Sequence, residues 1–264
     1  MKLVVLKDPQ SVADTSAAWV AKALLNPSVR NVQPAMGNSP QELYARLPRL
    51  LAGHLDEVRA RLRVYQMDEY ADLLPGDDRL LATWMAKTFT GPLGISRENV
   101  FYLLGFGSDP EASCRAFDFH LEGAGGLDVL VAGLGPNGHV GFNEPPSAPD
   151  TPSRMVPLAP ESIRSNATYW GGEDRVPPHA VTTGLGPMLR ARATVFVVNG
   201  AHKRNILEQT LLGPVSDLVP ASHFREQNNV VLVADRAACP EAIESRYVTL
   251  NPRSRDHFPA LFGP

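Results

Sequence analysis

The sequence predicts an α/β fold: a Rossmann-like, doubly wound and mostly parallel sheet with helices on both faces, which gives three layers in the order α/β/α. Short runs rich in Val, Leu and Ile recur along the chain, and segments with a helical spacing of apolar residues separate them. These runs are apolar throughout, which is typical of parallel strands covered on both faces. Such alternation produces right-handed βαβ units and hence a doubly wound sheet.

The predicted elements follow one another in a regular order. Strand candidates are short apolar runs, and helix candidates carry apolar residues on one face. Predicted strands cover residues 4–6, 32–35, 62–65, 99–103, 127–132, 193–198 and 229–233. Predicted helices cover residues 11–25, 40–51 and 110–121. The proline-rich stretch 145–160 is predicted to be a loop, either a surface excursion or a lid, and the tail after residue 251 to cover one edge.

Length and composition narrow the class of protein. A chain of 264 residues with 44% hydrophobic content can bury one substantial core, so we expect a single domain over residues 1–264. The net charge is −3 and no basic run is present, which argues against nucleic acid as a partner. Cys114 and Cys239 are far apart and have no metal-ligand spacing, so we expect two buried thiols and no metal site.

The N-terminal segment begins with a short apolar run that ends at Lys7 and Asp8. A signal peptide needs a longer apolar stretch, so we interpret this segment as the first strand. No uninterrupted apolar run is long enough to span a bilayer, and we expect no membrane partner. The sequence therefore predicts a cytoplasmic protein.

Four polar or glycine-rich segments follow predicted strands. They cover residues 36–40, 67–70, 133–144 and 200–203. In an open α/β sheet, ligands bind beyond the carboxyl ends of the strands. We therefore expect these four segments to meet at one edge of the sheet and to form the functional site.

The segment 133–144 is the most informative of the four. Its glycines permit tight turns and a close approach of backbone N–H groups to a ligand. His139 and Glu144 together can supply an acid/base pair. Taken singly, a glycine-rich turn is more often only a turn, a histidine such as His139 is more often structural, and Glu144 can be a solvated carboxylate.

The motif GPNGHVGFNEP at residues 135–145 resembles the signature of the glucosamine-6-phosphate deaminase family. MDEY at residues 67–70 resembles the second motif of that family, at a fitting distance. Further similarity runs through residues 183–186, 213–215 and 220–222, so the resemblance covers the chain from the first strand to about Asp235. The family shares its fold with the 6-phosphogluconolactonases, which have the Gly-His pair but lack the Asn-Glu-Pro that follows it in this chain.

The resemblance implies an activity and a set of catalytic residues. The reaction would be aldose–ketose isomerisation and deamination of an amino-sugar phosphate, glucosamine 6-phosphate or a close relative, to a ketose phosphate and ammonia. His139, oriented by Glu144 and Asn137, would open the sugar ring by moving a proton to the ring oxygen. Asp68 would take the proton from C2 and return it at C1. The implied partner is a small-molecule sugar phosphate, and no metal or organic cofactor is implied.

The resemblance also implies a phosphate site. Its members would be Gly37, Asn38, Ser39, Gly138 and Lys203. The first three lie at the start of a predicted helix, where backbone N–H groups attract anions.

Several positions depart from the family pattern. Asn137 stands where the family often has aspartate, and residues 36–40 read MGNSP where the family resembles TGGTP. Thr168 stands where a phosphate-contacting arginine is expected, and Arg164, one turn away, is a candidate replacement. Residues 77–81 read DDRLL where the family has an HPESY-like segment. A changed phosphate mode, a different epimer, and an unphosphorylated or differently substituted sugar therefore stay open.

Two other functions also stay open. A lactonase of the same fold would use His139 to activate water but has no evident use for Asp68 and Glu144 together. A non-catalytic sugar-phosphate sensor would need neither a base nor an acid, and the chain shows no helix-turn-helix segment. A homo-oligomer is compatible with the sequence, which identifies no interface.

Overall fold

A computed structural model describes residues 1–107, 109–251 and 259–262. Seven strands form one sheet in the order β1-β10-β9-β6-β2-β3-β5, and every pairing in it is parallel. In chain order the strands are β1 (Lys2–Leu6), β2 (Asn31–Pro34), β3 (Arg63–Tyr65), β4 (Asp68–Tyr70), β5 (Val100–Phe101), β6 (Val129–Gly133), β7 (Arg154–Pro157), β8 (His179–Thr182), β9 (Ala193–Val198) and β10 (Val230–Asp235). The predicted strands of the main sheet are confirmed, with small shifts at their ends.

Ten α-helices surround the sheet. They are α1 (Pro9–Leu25), α2 (Asn38–Tyr44), α3 (Leu47–Leu50), α4 (Leu55–Arg61), α5 (Leu81–Met85), α6 (Pro110–Gly123), α7 (Pro160–Trp170), α8 (Leu185–Leu189), α9 (Arg204–Leu212) and α10 (Glu241–Leu250), within the described part of the chain. A π-helical turn, Ala86–Thr90, continues α5. Short 3₁₀ turns cover Arg97–Asn99, Glu173–Arg175, Ala201–Lys203 and Pro220–Glu226.

The main sheet is covered on both faces. Along β9, Val195 and Val197 belong to one buried cluster, while Phe196 and Val198 belong to another. Because side chains alternate across a strand, these clusters lie on opposite faces of the sheet. Helices α1 to α5 contribute to the first cluster, and α6, α8, α9 and α10 contribute to the second. This arrangement confirms the predicted three-layer α/β/α fold.

Local chemistry explains where the helices begin and break. Helix α1 starts two residues before the prediction because the side chain of Asp8 caps it, accepting a hydrogen bond from the backbone N–H of Ser11 at 2.8 Å. The helix predicted over 40–51 is instead divided into α2 and α3. Pro48 has no N–H to donate to the carbonyl of Tyr44, so a continuous helix cannot pass this point.

A second, three-stranded antiparallel sheet corrects two predictions. Its order is β4-β8-β7, and in its register Asp68 and Arg154 both pair with Thr182. Residues 67–70, interpreted from the sequence only as the end of the third strand, thus include a strand of their own. The stretch 145–160 is not entirely loop, because it contains β7. Both strands are short and mixed in polarity, so neither produces an apolar run.

Three smaller predictions concern the cysteines, the membrane and the tail. Cys114 and Cys239 are free and buried, as expected. Among the described residues, the helices are all too short or too polar to cross a bilayer. The predicted role of the tail falls mostly on residues 252–258 and 263–264, which lie outside the described residues. Phe262 is described, and it is buried against the face that carries α1.

Candidate active site

A cavity of about 680 Å³, the main cavity, lies beyond the carboxyl ends of β2, β6 and β9. The four segments predicted from the sequence all contribute to its lining, which confirms that they meet at one edge of the sheet. Of the predicted site residues, those that line the main cavity are Gly37, Asn38, Ser39, Asp68, His139 and Lys203.

Asp68 supplies a buried carboxylate at the start of β4. Its residue is 7% exposed, and within the described part of the chain no side-chain or backbone donor is hydrogen-bonded to its carboxylate oxygens. Burial, with a smaller contribution from the negative charge of Glu69, raises the pKa of Asp68 to about 8. An acid in this condition exchanges its proton near neutrality, which suits a general base.

Gly141 lets the glycine-rich loop approach Asp68 closely. Its φ is +62°, and a Cβ there would lie 2.9 Å from Oγ1 of Thr182 and 3.3 Å from Oδ2 of Asp68. The same Thr182 hydroxyl accepts a hydrogen bond from the N–H of Phe142 at 3.1 Å. A side chain at position 141 would therefore separate the loop from the small sheet that carries Asp68.

His139 is held by three polar side chains. Its Nδ1 lies 3.2 Å from Oε2 of Glu144 and 3.1 Å from Oγ of Ser162. Asn137 donates a hydrogen bond from Nδ2 to the same Glu144 oxygen at 2.7 Å and accepts one from the N–H of His139 at 3.2 Å. Because Nδ1 is engaged in this way, Nε2 is the ring atom left for a ligand in the main cavity.

The histidine ring covers Gly135. A Cβ at position 135 would overlap the ring atoms of His139, so only glycine lets the imidazole take this position. The side chain of His139 is 13% exposed, and one edge of its ring faces the main cavity. Gly135 and Gly141 of the motif thus allow the loop to pack closely against His139 and Asp68.

Glu144 lies behind His139 and is 8% exposed. Besides its side-chain partners it accepts a hydrogen bond from the N–H of Ala159, the residue before α7, at 3.3 Å. Burial alone would raise its pKa, but the hydrogen bonds and positive charge of His139, with hydrogen bonds from Ser162 and Asn137, outweigh burial and lower the pKa to about 2. Glu144 therefore stays ionised and can stabilise an imidazolium.

Glu69 is a third buried carboxylate, beside Asp68 in β4. It accepts hydrogen bonds from Nε2 of Gln66 and from the backbone N–H groups of Tyr70, Leu81 and Ala82, all at 2.8–2.9 Å. Burial raises its pKa, and these four donors oppose that rise. Glu69 thereby ties the start of α5 to the strand that carries Asp68, and its charge acts on Asp68.

Lys203 is the cation on the predicted phosphate side. Its Nζ donates a hydrogen bond to the backbone oxygen of Leu134 at 2.6 Å, and burial lowers its pKa to about 8. Gly37 precedes α2 with a φ of +150°, a conformation that favours glycine. Asn38 and Ser39 form the first turn of α2 and line the main cavity beside it.

Besides Glu144, two predicted residues do not line the main cavity. Gly138, predicted to contact substrate, does not line the main cavity. A Cβ on Gly138 would lie 2.8 Å from Cγ1 of Val219. The backbone carbonyl of Gly138 accepts a hydrogen bond from the N–H of Ala221. Its φ of +87° and this close packing are the reasons for glycine. Asn137 lines a second cavity of about 390 Å³ on the far side of the loop and reaches the site through Glu144.

The position of the expected arginine is part of the main cavity, but no cation fills it. Thr168 lines the main cavity, and its hydroxyl donates to the carbonyl of Ser165 at 2.8 Å. Arg164 does not line the main cavity; it is exposed and pairs with Glu161 at 3.1 Å. Arg164 therefore does not replace the missing arginine.

Sequence reasoning did not identify several residues of the site. Ser162 contacts His139, while Trp84 and Tyr169 line the main cavity, as does His202 within the predicted segment 200–203. The signal available in the sequence was that Ser162 lies in the same helix as Thr168, the position at which a phosphate contact is expected. For the aromatic residues, nothing in the local sequence distinguishes a cavity wall from a core.

Potential metal ligands do not cluster in threes within residues 1–107, 109–251 and 259–262. The prediction that the reaction needs neither metal nor organic cofactor stays a prediction. The side chains that face the main cavity supply acid/base groups and one lysine, which together suit proton transfer on a polar ligand.

The chain is similar in sequence to curated glucosamine-6-phosphate deaminases. The chain is 34% identical over 248 residues to a glucosamine-6-phosphate deaminase of Cutibacterium acnes, covering 94% of each chain. It is 30% identical over 240 residues to a glucosamine-6-phosphate deaminase of Streptomyces coelicolor, covering 90% of this chain and 91% of the relative.

Solved structures of two kinds of enzyme share the fold of this chain. A monomeric glucosamine-6-phosphate deaminase superposes with a TM-score of 0.85 at 26% identity, covering 90% of this chain and 98% of that one. A 6-phosphogluconolactonase of Thermotoga maritima superposes with a TM-score of 0.68 at 19% identity, covering 89% and 99%, which is a likeness of fold alone. The family model for glucosamine-6-phosphate isomerases and 6-phosphogluconolactonases matches residues 8–233, and the chain belongs to that family.

Proposed function

We propose that this protein catalyses the isomerisation and deamination of an amino-sugar phosphate, glucosamine 6-phosphate or a close relative, to a ketose phosphate and ammonia. One observation carries the proposal: Asp68, a buried carboxylate without a hydrogen-bond donor among the residues that the structure describes, shares a cavity with a histidine held by an ionised glutamate. The names of the curated relatives supply the substrate class.

The proposed reaction moves protons through His139 and Asp68. Nε2 of His139 transfers a proton to the ring oxygen while the anomeric hydroxyl gives up its proton to water, and the sugar opens to its aldehyde form. Asp68 then removes the proton at C2 while the aldehyde oxygen takes a proton from the ammonium group, which gives an enolamine. The return of the proton from Asp68 to C1 leaves an alcohol at C1 and an imine at C2. Water then adds at C2 and the C–N bond breaks. The products are ammonia and the ketose phosphate.

The pKa values of Asp68 and Glu144 suit the two carboxylates to different roles. Asp68, with a pKa of about 8, can accept and return a proton without a large energetic cost in either direction. Glu144, with a pKa of about 2, stays charged and stabilises the positive charge that His139 carries before each transfer. Neither group needs a metal for these steps.

The two other functions have less support. A lactonase would use His139 alone, and the lactonase structures resemble this chain only in fold. A sensor gains nothing from a carboxylate whose burial raises its pKa to about 8, since keeping Asp68 without a partner costs stability once it ionises.

The test is ammonia and ketose formation from glucosamine 6-phosphate, with 6-phosphogluconolactone hydrolysis assayed in parallel. We expect ammonia and ketose in equal amounts from the amino sugar and no lactone hydrolysis above the rate in water. Lactone hydrolysis without ammonia release would favour the lactonase, and binding of the amino sugar without any product would favour the sensor.

A further inference from the structure

Three polar side chains form a row across the small antiparallel sheet. Asp68 in β4 and Arg154 in β7 both pair with Thr182 in β8, the strand that lies between them. Directly paired residues of an antiparallel sheet point to the same face, so the carboxylate, the hydroxyl and the guanidinium are neighbours on one face. We call Asp68, Thr182 and Arg154 the polar row.

The polar row faces the glycine-rich loop residue by residue. A Cβ on Gly141 would lie 3.3 Å from Oδ2 of Asp68. The N–H of the next residue in the loop donates to Oγ1 of Thr182 at 3.1 Å. One residue further, Oδ1 of Asn143 accepts a hydrogen bond from Nη1 of Arg154 at 2.8 Å. The loop that carries His139 and Glu144 is therefore fixed against the strand that carries the proposed base.

The second branch of the guanidinium reaches the other side of Glu144. Nη2 of Arg154 donates to Oγ of Ser147 at 2.8 Å, and that hydroxyl donates in turn to the backbone oxygen of Glu144 at 2.5 Å. Asn143 and Ser147 are both buried, so water does not replace these contacts. Arg154 thus holds the chain on both sides of Glu144, the residue whose carboxylate orients the catalytic histidine.

Arg154 makes these contacts without a carboxylate partner. Its acceptors are neutral oxygens, those of Asn143 and Ser147 and the carbonyl of Pro152 at 3.4 Å. Within residues 1–107, 109–251 and 259–262, no acidic side chain forms an ion pair with Arg154, although the charge of Glu111 attracts it. Burying a guanidinium without an ion pair is costly. The stability of the fold therefore gives little reason for an arginine at this position, whereas its two-pronged grip on the loop gives a specific one.

We propose that Arg154 is a positioning residue of the active site, which sets the place of Glu144, and through it of His139, relative to Asp68. The kinetic consequences of this proposal rest on the proposed deaminase function, whereas its geometric consequence does not. Arg154 does not line the main cavity, so it acts on the reaction through the loop and not through contact with the sugar. It joins the two halves of the acid/base machinery, because Asp68 belongs to the polar row and Glu144 to the loop.

The first experiment measures kcat and KM separately for Arg154→Met, which keeps a long side chain but donates no hydrogen bond. We expect kcat to fall about thirtyfold, because a small displacement of an acid/base group is costly, while KM changes by less than about threefold. Arg154→Lys keeps the charge but cannot reach both acceptors as the planar fork does, so it should retain the fold and lose only about fivefold in kcat. A wild-type kcat in Arg154→Met, or a rise in KM without a fall in kcat, would overturn the proposal.

Arg192→Met is the matched control for lost stability. Arg192 donates to Oδ1 of Asp128 at 2.8 Å, and both residues immediately precede strands of the main sheet, at the edge opposite the main cavity. We expect Arg192→Met to lower the temperature of unfolding and to leave kcat within about twofold of the wild-type value. If it lowered kcat as much as Arg154→Met, loss of stability would explain both results and the proposal would fail.

The second experiment combines Arg154→Met with Glu144→Gln. If the arginine acts by placing the charge of Glu144, removing that charge first leaves the arginine little to contribute. In the Glu144→Gln background we therefore expect Arg154→Met to lower kcat by less than about threefold. A loss of about thirtyfold in both backgrounds would show that the two residues act independently, which contradicts the proposal.

The third experiment does not depend on turnover. NMR of protein labelled with ¹⁵N-histidine, with His139→Asn to assign the signal, shows which ring nitrogen carries the proton when the imidazole is neutral. The ionised carboxylate of Glu144 can accept only from Nδ1–H, so this tautomer should dominate in the wild-type protein. In Arg154→Met we expect a mixture of both tautomers, and in Arg192→Met the wild-type pattern.

The outcome of the NMR experiment also separates the two proposals. An unchanged tautomer in Arg154→Met would overturn the positioning role of the arginine, whatever the activity of the protein. A mixture of tautomers in Arg154→Met, found together with a wild-type protein that releases no ammonia from glucosamine 6-phosphate, would uphold the positioning role and overturn the deaminase function instead.

Discussion

Two buried carboxylates in this site differ in almost every respect except burial. Asp68 stands on the small antiparallel sheet with no hydrogen-bond donor to its carboxylate among the described residues, and its pKa rises to about 8. Glu144 stands in the glycine-rich loop with donors on both oxygens, and its pKa falls to about 2. The partners of each side chain, more than its depth, decide whether it exchanges protons or stays charged.

The two carboxylates suit different roles in the proposed reaction. A carboxylate without donors is costly to ionise, and that cost is what makes it a base near neutral pH. A carboxylate with several donors is poor as a base but good at orienting a histidine. The following changes either abolish this difference or measure it, beginning with the largest expected effect.

Removing the base should have the largest effect. Asp68→Asn keeps the size of the side chain but cannot accept the C2 proton, so we expect kcat to fall by about a thousandfold, within the range for loss of a general base. Exchange of the C2 hydrogen with deuterated solvent, followed by NMR, should stop as well. Exchange at the wild-type rate would remove Asp68 from this role.

The pH dependence of the stability of the same variant tests the raised pKa of Asp68. The pKa of Asp68 is raised from 3.8 to about 8, so the folded state binds more protons than the unfolded state between those values, and Asp68 makes stability fall as pH rises through that window. Asp68→Asn should remove this contribution. Thermal unfolding at pH 5 and pH 8 should therefore differ less in the variant than in the wild-type protein.

Loss of the charge behind His139 should be the next largest effect. Glu144→Gln can still accept a hydrogen bond from Asn137, but it cannot stabilise an imidazolium, and we expect kcat/KM to fall by about a hundredfold. Asn137→Ala, which removes a neighbour without removing the charge, should cost much less. If the two variants lost the same activity, geometry rather than charge would explain the role of Glu144.

The dependence of kcat/KM on pH tests the pKa values of Asp68 and Glu144. Because Asp68 acts as a base only when ionised, kcat/KM should rise about tenfold per pH unit at low pH and level off near pH 8. Glu144 should contribute no change in this range, since its pKa is about 2. A profile that is already flat at pH 5 would show that Asp68 is ionised there and would contradict the assignment.

Glu69→Gln should shift that profile. Removing the negative charge beside Asp68 lowers the pKa of Asp68, so the rising part of the profile should move to lower pH. The variant also loses acceptors for the N–H groups at the start of α5, and we expect unfolding to require about 1–3 kcal/mol less. An unchanged profile together with lower stability would leave Glu69 a purely structural role.

The smallest effect should come from Ser162. Its hydroxyl contacts Nδ1 of His139 beside a carboxylate that remains, so Ser162→Ala should lower kcat only severalfold, in line with about 1 kcal/mol for one hydrogen bond. Single-turnover measurements at saturating sugar would show it. A loss as large as that of Glu144→Gln would make the hydroxyl an equal partner of the carboxylate.

The sequence predicted the main sheet and the centre of the site, for physical reasons. Continuous apolar runs such as the one in β9 have few alternatives to a buried parallel strand. The motif that holds His139 and Glu144 is compact, because its parts bond to one another within a few residues. Local patterns of this kind are readable without the fold.

What the sequence could not predict depends on distant contacts. Strands β4 and β7 are three and four residues long and form only because each pairs with β8. Gly138 was predicted to meet substrate, but its packing against Val219 becomes visible only when the chain has folded. The contact between Trp84 and Tyr169 likewise joins helices that are far apart in sequence.

The protonation of Asp68 has a consequence for how ligands enter. Asp68 is mostly neutral at pH 7, since its pKa is about 8. A ligand whose ammonium pairs with the carboxylate must therefore send a proton into the buffer as it binds. The measured heat of binding will then depend on the ionisation enthalpy of the buffer, and affinity for a cationic sugar will increase with pH up to about 8. Binding thus replaces the proton on Asp68 with the ammonium group of the ligand.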